Sequence, residues 1–376
     1  FQSIITANVD CKIGSIEYSY EGNITEAEKA EYESEREGWL LNSKNEDKLT
    51  GANLGIVLDR KARPRSVKFQ FRWNMNIVPA VRVAKVHLVP VNADDELVDA
   101  DGNKIDDVVL TVRQDAAPRI EDNRAGDSLS IIMINQKLNS MATFDTSDNM
   151  RNWSGVTLWE ATDPFVKQHP EALGRVRSVK FSMFNLKPGE VLPKEVKNLK
   201  YLETFSLASN DNNQIRNMEL GEDICELAHL KNLAIQAYGL VKLPANFKKL
   251  GKTLENLNLV SNNFNRLSDI TKVVNARNFP HLHTLTLYAQ RRTDVCINMS
   301  GLSKNGDDNY VYNNYPIGMY GNISSDYTER QAFLSLLTWD NLRALELSYC
   351  FLEGELPSDE DMDKALEAAG KPTRYT

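Results

Sequence analysis

What the sequence lacks narrows its class before any motif is read. No apolar run approaches the roughly 20 residues of a membrane-spanning helix, so no such span is expected. Basic residues are not in excess: 44 Lys and Arg stand against 52 Asp and Glu, a formal net charge of -8. Nucleic-acid binding usually needs a basic stripe, so nucleic acid is not an expected partner. Cysteine is scarce, with four residues at Cys11, Cys225, Cys296 and Cys350. None forms a C-x-x-C pair or has histidine at metal-ligand spacing, so mostly buried free thiols and no metal site are expected. One disulfide stays open as an alternative in an oxidising compartment. No G-x-G-x-x-G, Walker loop or G-x-S-x-G is present, and the five histidines form no triad. Neither an enzyme nor a cofactor is expected. The chain opens on Phe1, Gln2 and Ser3 instead of Met, from which we expect a processed chain whose export signal or lipid anchor has been removed.

What is present is an ordinary globular balance, 41% apolar and 26% charged, over 376 residues, enough for two or three domains. Its dominant pattern is a recurring frame, L-x-x-L-x-L-x-x-N-x-L. The sharpest copy is Leu254, Leu257, Leu259, Asn262 and Phe264, followed by Leu267. Copies start at 176, 202, 230, 254, 282 and 342, with most steps of 24 to 28 residues. That spacing is the leucine-rich-repeat range. In x-L-x-L-x the alternation of a short strand points two leucines inward, and each repeat can bury them only against its neighbours. The ninth residue, Asn where the frame is complete, supplies a side-chain amide for backbone groups opened by the turn. Asn210 and Asn262 fit this slot and Cys350 fills it in the last copy, whereas Phe184, Tyr238 and Gln290 do not match.

The step from 282 to 342 is about twice too long. Met319, Gly321 and Ile323 resemble Leu352, Gly354 and Leu356, which suggests a degenerate repeat starting near Asn309; an inserted loop is the alternative. A helix at 129–138 with Asp127 or Ser128 as N-cap, together with Trp153 and Trp159, is expected to close the start of the stack. A short helix over 361–369, stopped by Gly370 and Pro372, is expected as a lid at its end. Residues 1–117 read differently. Alternation at 13–20, 67–73, 83–91 and 108–113 predicts antiparallel strands of an all-β, sandwich-like domain, interrupted by a charged helical insertion at 25–39. The fold class is thus an α/β leucine-rich-repeat solenoid, a parallel β-sheet horseshoe, behind an all-β N-terminal domain. Its divisions are 1–117, a cap at 118–175, and repeats at 176–376 with an irregular segment at 288–341.

Asp127 and Leu129, Trp153 to Val156, Gly174 to Phe181, Leu192 and Pro193, and Leu352, Gly354, Leu356 and Pro357 follow one another in an order that resembles the surface leucine-rich-repeat lipoproteins of gut Bacteroidetes. The resemblance covers roughly 127–357 and departs at 154–186 and in the long gap. It implies a secreted or lipid-anchored envelope protein, and the N-terminal part is similar to small β-rich domains of unknown function that precede such repeats.

Candidate sites follow from the frame. The acidic run Asp94 to Asp107 around Gly102 suggests calcium, but with Gly102 as sixth residue an EF-hand would begin at Leu97 and end at Val108, so an exposed hairpin turn is expected. The concave strand positions are small and polar, from Ser206 and Ala234 to Asn258 and Thr286. Tyr238, Tyr288 and Tyr349 lie near one margin, and Arg291, Arg292 and Tyr320 lie in the irregular segment with Tyr310, Tyr312, Tyr315 and Tyr327. Tyrosine and arginine are the residue types that anchor interfaces. The alternative is that several of these tyrosines fill the core where leucines are missing. The expected function is a non-enzymatic, monomeric cell-envelope module that binds a protein or glycan; the alternative is a scaffolding surface protein without a specific soluble ligand.

Overall fold

The computed structural model describes residues 2–6, 10–42, 48, 57–59, 66–74, 76–92, 95–140, 142, 144–145, 148–186, 189–209, 217–292, 297–298, 313–314 and 318–373. Cys296, Asn210, Asn309, Tyr310, Tyr312 and Tyr315 lie outside them. The chain divides into two compact units, Phe1–Arg119 and Ile120–Thr376.

The first unit is built on antiparallel pairing. One sheet holds β1 (Gln2–Thr6), β3 (Leu40–Asn42), β4 (Val57–Asp59) and β5 (Ser66–Trp73), with β5 pairing each of the others. The other holds β2 (Asp10–Glu21), β6 (Val81–Asn92), β7 (Asp95–Glu96) and β8 (Val108–Gln114), centred on β6. Every strand expected from alternation is present. Ala84, Val86 and Leu88 of β6 alternate onto one face, where they bury with Cys11, Trp39 and Leu40. The charged insertion forms two short helices, α1 (Glu26–Glu31) and α2 (Glu33–Arg36), and Thr25 caps the first through a capping box with Glu28. Arg82 is buried, yet its guanidinium donates to the Asn74 carbonyl (2.8 Å) and Gln114 (2.8 Å) and lies 5.0 Å over the Trp39 ring. Burial lowers its pKa to about 10. The acidic run is a turn. Asp99 accepts from the Asp101 and Asn103 amides, both at 2.9 Å, and Gly102 takes a φ of 85°. The Asn103 bonds come first among those that hold the Asp99 carboxyl below its usual range.

The second unit carries a seven-stranded sheet among the described residues. Its strands are β9 (Val156–Leu158), β10 (Val176–Ser182), β11 (Thr204–Ala208), β12 (Asn232–Gln236), β13 (Asn256–Asn258) and β14 (Thr284–Thr286), with β17 (Ala344–Glu346) last. A separate two-residue hairpin, β15 (Ile297–Asn298) and β16 (Asn313–Asn314), stands apart from it. The six repeat strands are parallel, and β9 runs antiparallel at the start. In register, Val179, Phe205, Leu233, Leu257, Leu285 and Leu345 form one continuous row. The first five are at most 1% exposed. One apolar core runs the length of this unit, as stacked repeats require.

Pairing of β14 directly with β17 decides the long gap. A degenerate repeat near Asn309 would need a strand between them, and the sheet has none there. Gly318 donates to the Gln290 carbonyl (2.7 Å), so the chain leaves the repeat after Gln290 and re-enters it at Gly318. Met319 then donates to Cys350 (2.7 Å) and Ile323 to Glu353 (2.8 Å), so the two similar end motifs do lie side by side. The segment is an insertion inside one repeat.

Both caps differ from expectation in detail. The first is α3 (Arg124–Lys137), whose N-cap is Asn123, accepting from Gly126 at 2.9 Å. Asp127 is no cap. It is buried, its carboxylate receives the Arg175 guanidinium (2.8 and 2.9 Å) and the Val176 amide (3.0 Å), and so it ties the cap helix to the first repeat. Burial raises the Asp127 carboxyl pKa against the opposing bonds from Arg175. A side chain at 126 would place its Cβ 1.8 Å from the Glu121 carbonyl oxygen, which accounts for the glycine. Trp153 closes the stack with Phe144 (5.1 Å between rings). Trp159 does not. It sits on the flank beside α4 (Pro164–Gln168), stacked on Phe165 at 4.4 Å. At the far end, past α5 (Leu267–Thr271) and α6 (Tyr327–Leu337), α7 (Asp359–Ala368) is capped by Ser358 and pinned by the Arg330–Asp361 ion pair (2.5 Å).

The flank cluster yields a pH prediction. His169 and His229 lie 5.1 Å apart, and His229 stacks on Tyr201. Burial, and then the neighbouring His169, hold the His229 pKa below its ordinary 6.5. The unfolded chain therefore takes up this proton first as pH falls, and stability is lost below about 6.5. Between about pH 7.5 and 5, His229→Phe is expected to lose less thermal stability than the parent chain; equal losses in calorimetry would refute the assignment.

Candidate binding surface

The ninth position of the frame builds the margin of the concave sheet. Asn262 donates from its amide to Ile235 (2.7 Å) and Leu259 (3.0 Å), and its oxygen accepts from Leu240 (3.1 Å). Gln290, which the frame does not predict, makes the donor bonds of this set one repeat later, to Leu259 (2.7 Å) and Leu287 (3.1 Å). Cys350 continues the ladder, its thiol donating to Leu287 (2.9 Å). An extra methylene thus still reaches the same carbonyls.

Tyr238 occupies this same slot and is not part of a binding face. It is fully buried against Phe184 (5.7 Å between rings), and its hydroxyl donates to the Glu219 carbonyl (3.2 Å). Burial pushes the Tyr238 phenol pKa well above its usual value. A large ring there fills the volume that amide bonds hold open elsewhere, so the expectation that it binds a ligand is corrected.

The eighth position is left-handed in five repeats: Met183, Ala237, Ser261, Ala289 and Tyr349 have φ between 50° and 57°. No glycine relieves these residues, although left-handed backbone is costly for L side chains. Regular hydrogen bonding offsets this. Ala237, Ser261 and Ala289 donate to the carbonyls of Val260 (3.0 Å), Tyr288 (2.8 Å) and Ser348 (3.0 Å), each in the next repeat. Around this turn the seventh, eighth and tenth side chains of the frame stand at the margin. There Tyr288, Tyr349 and Phe351 stand 37%, 56% and 61% exposed. Their rings meet edge to face, at 5.1 Å from Tyr288 to Tyr349 and 6.2 Å from Tyr349 to Phe351. Leu347 and Leu352 complete a shallow groove of about 460 Å³ with Tyr349 and Phe351.

The other expected residues fall where the insertion departs. Arg292 lies 5.0 Å over the half-buried Tyr320 ring, and the Arg291 amide donates to Asn262 (2.9 Å). The structure therefore gathers the candidates into two pairs, Tyr288 with Tyr349 and Arg292 with Tyr320. Phe351 escaped sequence reasoning because it follows the frame's ninth position; the alternation Tyr349, Cys350, Phe351 around a buried cysteine was the available signal. On the concave sheet itself, Asn256, Asn232 and Thr204 form a hydrogen-bonded ladder (2.7 and 3.0 Å). Its amides partly satisfy one another. Among the described residues no group of three His, Cys, Asp or Glu side chains could hold a metal ion, and no helix is long and apolar enough to cross a membrane.

The register and the frame define a leucine-rich-repeat-type protein with a solenoid-like α/β fold. No family model matches the chain, and no curated relative is found. Solved structures to which it is similar include a plant ice-binding protein, at 20% identity over 46% of this chain and 50% of that one, TM-score 0.33. The leucine-rich-repeat ectodomain of the receptor kinase SOBIR1 from Arabidopsis thaliana matches at 18% identity over 61% and 96%, TM-score 0.35. A leucine-rich-repeat protein of Leptospira interrogans matches at 22% identity over 29% and 37%, TM-score 0.18. The chain thus spans half the length of the ice-binding protein.

Proposed function

We propose that this protein is a non-enzymatic binding module of the cell envelope, secreted or lipid-anchored, that recognises a protein or glycan through the margin of its concave sheet. The observation that carries the reading is the exposed row of Tyr288, Tyr349 and Phe351. Three large rings left in water on a rigid margin are unfavourable in isolation and suit an interface anchor. Arg292 on Tyr320 adds an aromatic–cation contact at the root of the insertion.

The test is an array of envelope proteins and glycans, followed by titration of any hit. The parent chain should give a saturable ligand, and Tyr288→Ala combined with Tyr349→Ala should weaken it at least about tenfold, the loss of an anchor worth about 1.4 kcal/mol or more. Thermal stability should move little, since both rings are exposed. Absence of a saturable ligand would favour a scaffolding role instead.

A further inference from the structure

The two ends of the sheet are finished differently. At the start, β9, α3, Phe144 and Trp153 cover the first repeat. At the finish, among the described residues, nothing pairs with the outer edge of β17. Leu287 donates to the Glu346 carbonyl at 2.8 Å, so the backbone of Glu346 faces β14 and that of Leu345 faces outward. Leu345 and Leu347 are only half-buried, whereas their counterparts Leu285 and Leu287 are fully buried. The lid helix Asp359–Ala368 buries no residue of its own. Beside this edge stand the exposed Tyr349 and Phe351.

Charge selects among possible occupants. Residues 338–373 hold nine carboxylates and three cationic side chains, so most of the chain's net charge of -8 gathers here. Glu346, Glu353 and Glu355 are exposed around the edge. A second copy approaching with the same end would bring like charges together. A neutral glycan brings no positive charge to the carboxylates and no regularly spaced N–H and C=O ladder to the open strand edge.

From these observations, and resting on the reading of the protein as a binding module, we infer that the β17 edge takes an extended polypeptide segment of alternating apolar and basic residues. The segment adds a strand to the sheet: Leu345 offers its N–H and C=O, and apolar side chains of the added strand cover Leu345 and Leu347. Its Lys or Arg residues face Glu346 on the concave side and Glu353 beyond it.

The probes are an eight-residue peptide alternating Val and Lys and its counterpart alternating Val and Glu, with amide hydrogen exchange as readout. The Val/Lys peptide should bind saturably, protect the Leu345 amide at least about tenfold, and weaken about tenfold or more as salt rises from about 0.05 to 0.5 M. The Val/Glu peptide should do neither. Leu345→Pro, which removes that N–H, should abolish saturable binding of the Val/Lys peptide, and the fold should tolerate it because the N–H does not face β14. Glu346→Lys, an exposed change, should reverse the preference between the peptides. Binding of Val/Lys without protection of Leu345, equal binding of both peptides, or protection that appears on concentrating the protein alone would each overturn the inference. A glycan ligand lost with Tyr288 and Tyr349, beside an unprotected Leu345, would sink this inference and leave the binding module standing.

Discussion

Leu257→Asp is expected to unfold the repeat unit or to lower its stability by at least about 4–5 kcal/mol. Leu257 lies at the centre of the row, paired with Leu233 on one side and Leu285 on the other, and is 1% exposed. A carboxylate there would lie in the apolar core, with no cation among the core residues to pair it. Stacked repeats stabilise one another through such contacts, so the damage should spread beyond one repeat. The neighbouring Asn258→Asp supplies the control. Asn258 points to the concave side, and its oxygen accepts from Val260 at 3.0 Å, a bond that Asp keeps. That variant should stay within about 0.5 kcal/mol of the parent. Urea unfolding followed by circular dichroism checks both; a Leu257→Asp chain as stable as Asn258→Asp would mean the row is not the core.

Asp127→Ala should cost about 3–5 kcal/mol, the usual penalty for stranding one partner of a buried pair. Arg175 is 5% exposed and would keep only the bonds to Asp122, whose carboxyl is half-exposed. The Val176 amide, at the first residue of the first repeat strand, would lose its acceptor as well. Asp122→Ala should cost no more than about 1 kcal/mol, since its contacts to Arg175 and Lys200 are made in partial solvent. Replacing both partners, with Asp127→Leu and Arg175→Met, should recover much of the loss, because no buried charge then remains. Chemical denaturation of the four chains tests this. Equal effects at 122 and 127 would show that burial is not what gives Asp127 its weight.

These two experiments probe unlike kinds of information. The Leu257 row is legible from spacing alone. An alternating strand points every second residue inward, and six copies in phase must stack in register. The link between Asp127 and Arg175 is not legible. Asp127, just before the apolar helix that starts at Leu129, reads as a local cap, and nothing nearby reveals an arginine 48 positions later that competes for its carboxylate. Tyr238 illustrates the same limit. Its place in the frame puts it at the margin, but whether a ring there faces water or fills the ninth slot depends on the space left by Phe184.

The amino-acid sequence by itself determined the repeat, its strand positions, the antiparallel character of the first unit and the aromatic margin at Tyr288 and Tyr349. Those follow from periodicity, which acts between near neighbours along the chain. Tertiary structure alone decided that 291–317 interrupts a repeat instead of forming one, because that rests on β14 pairing with β17. It also decided that Gln290 can stand in for asparagine as a donor, and that five residues of four types share one left-handed turn. The outward edge of Leu345 belongs with these. Whether a strand has a neighbour is a property of the stack, and no residue type announces it.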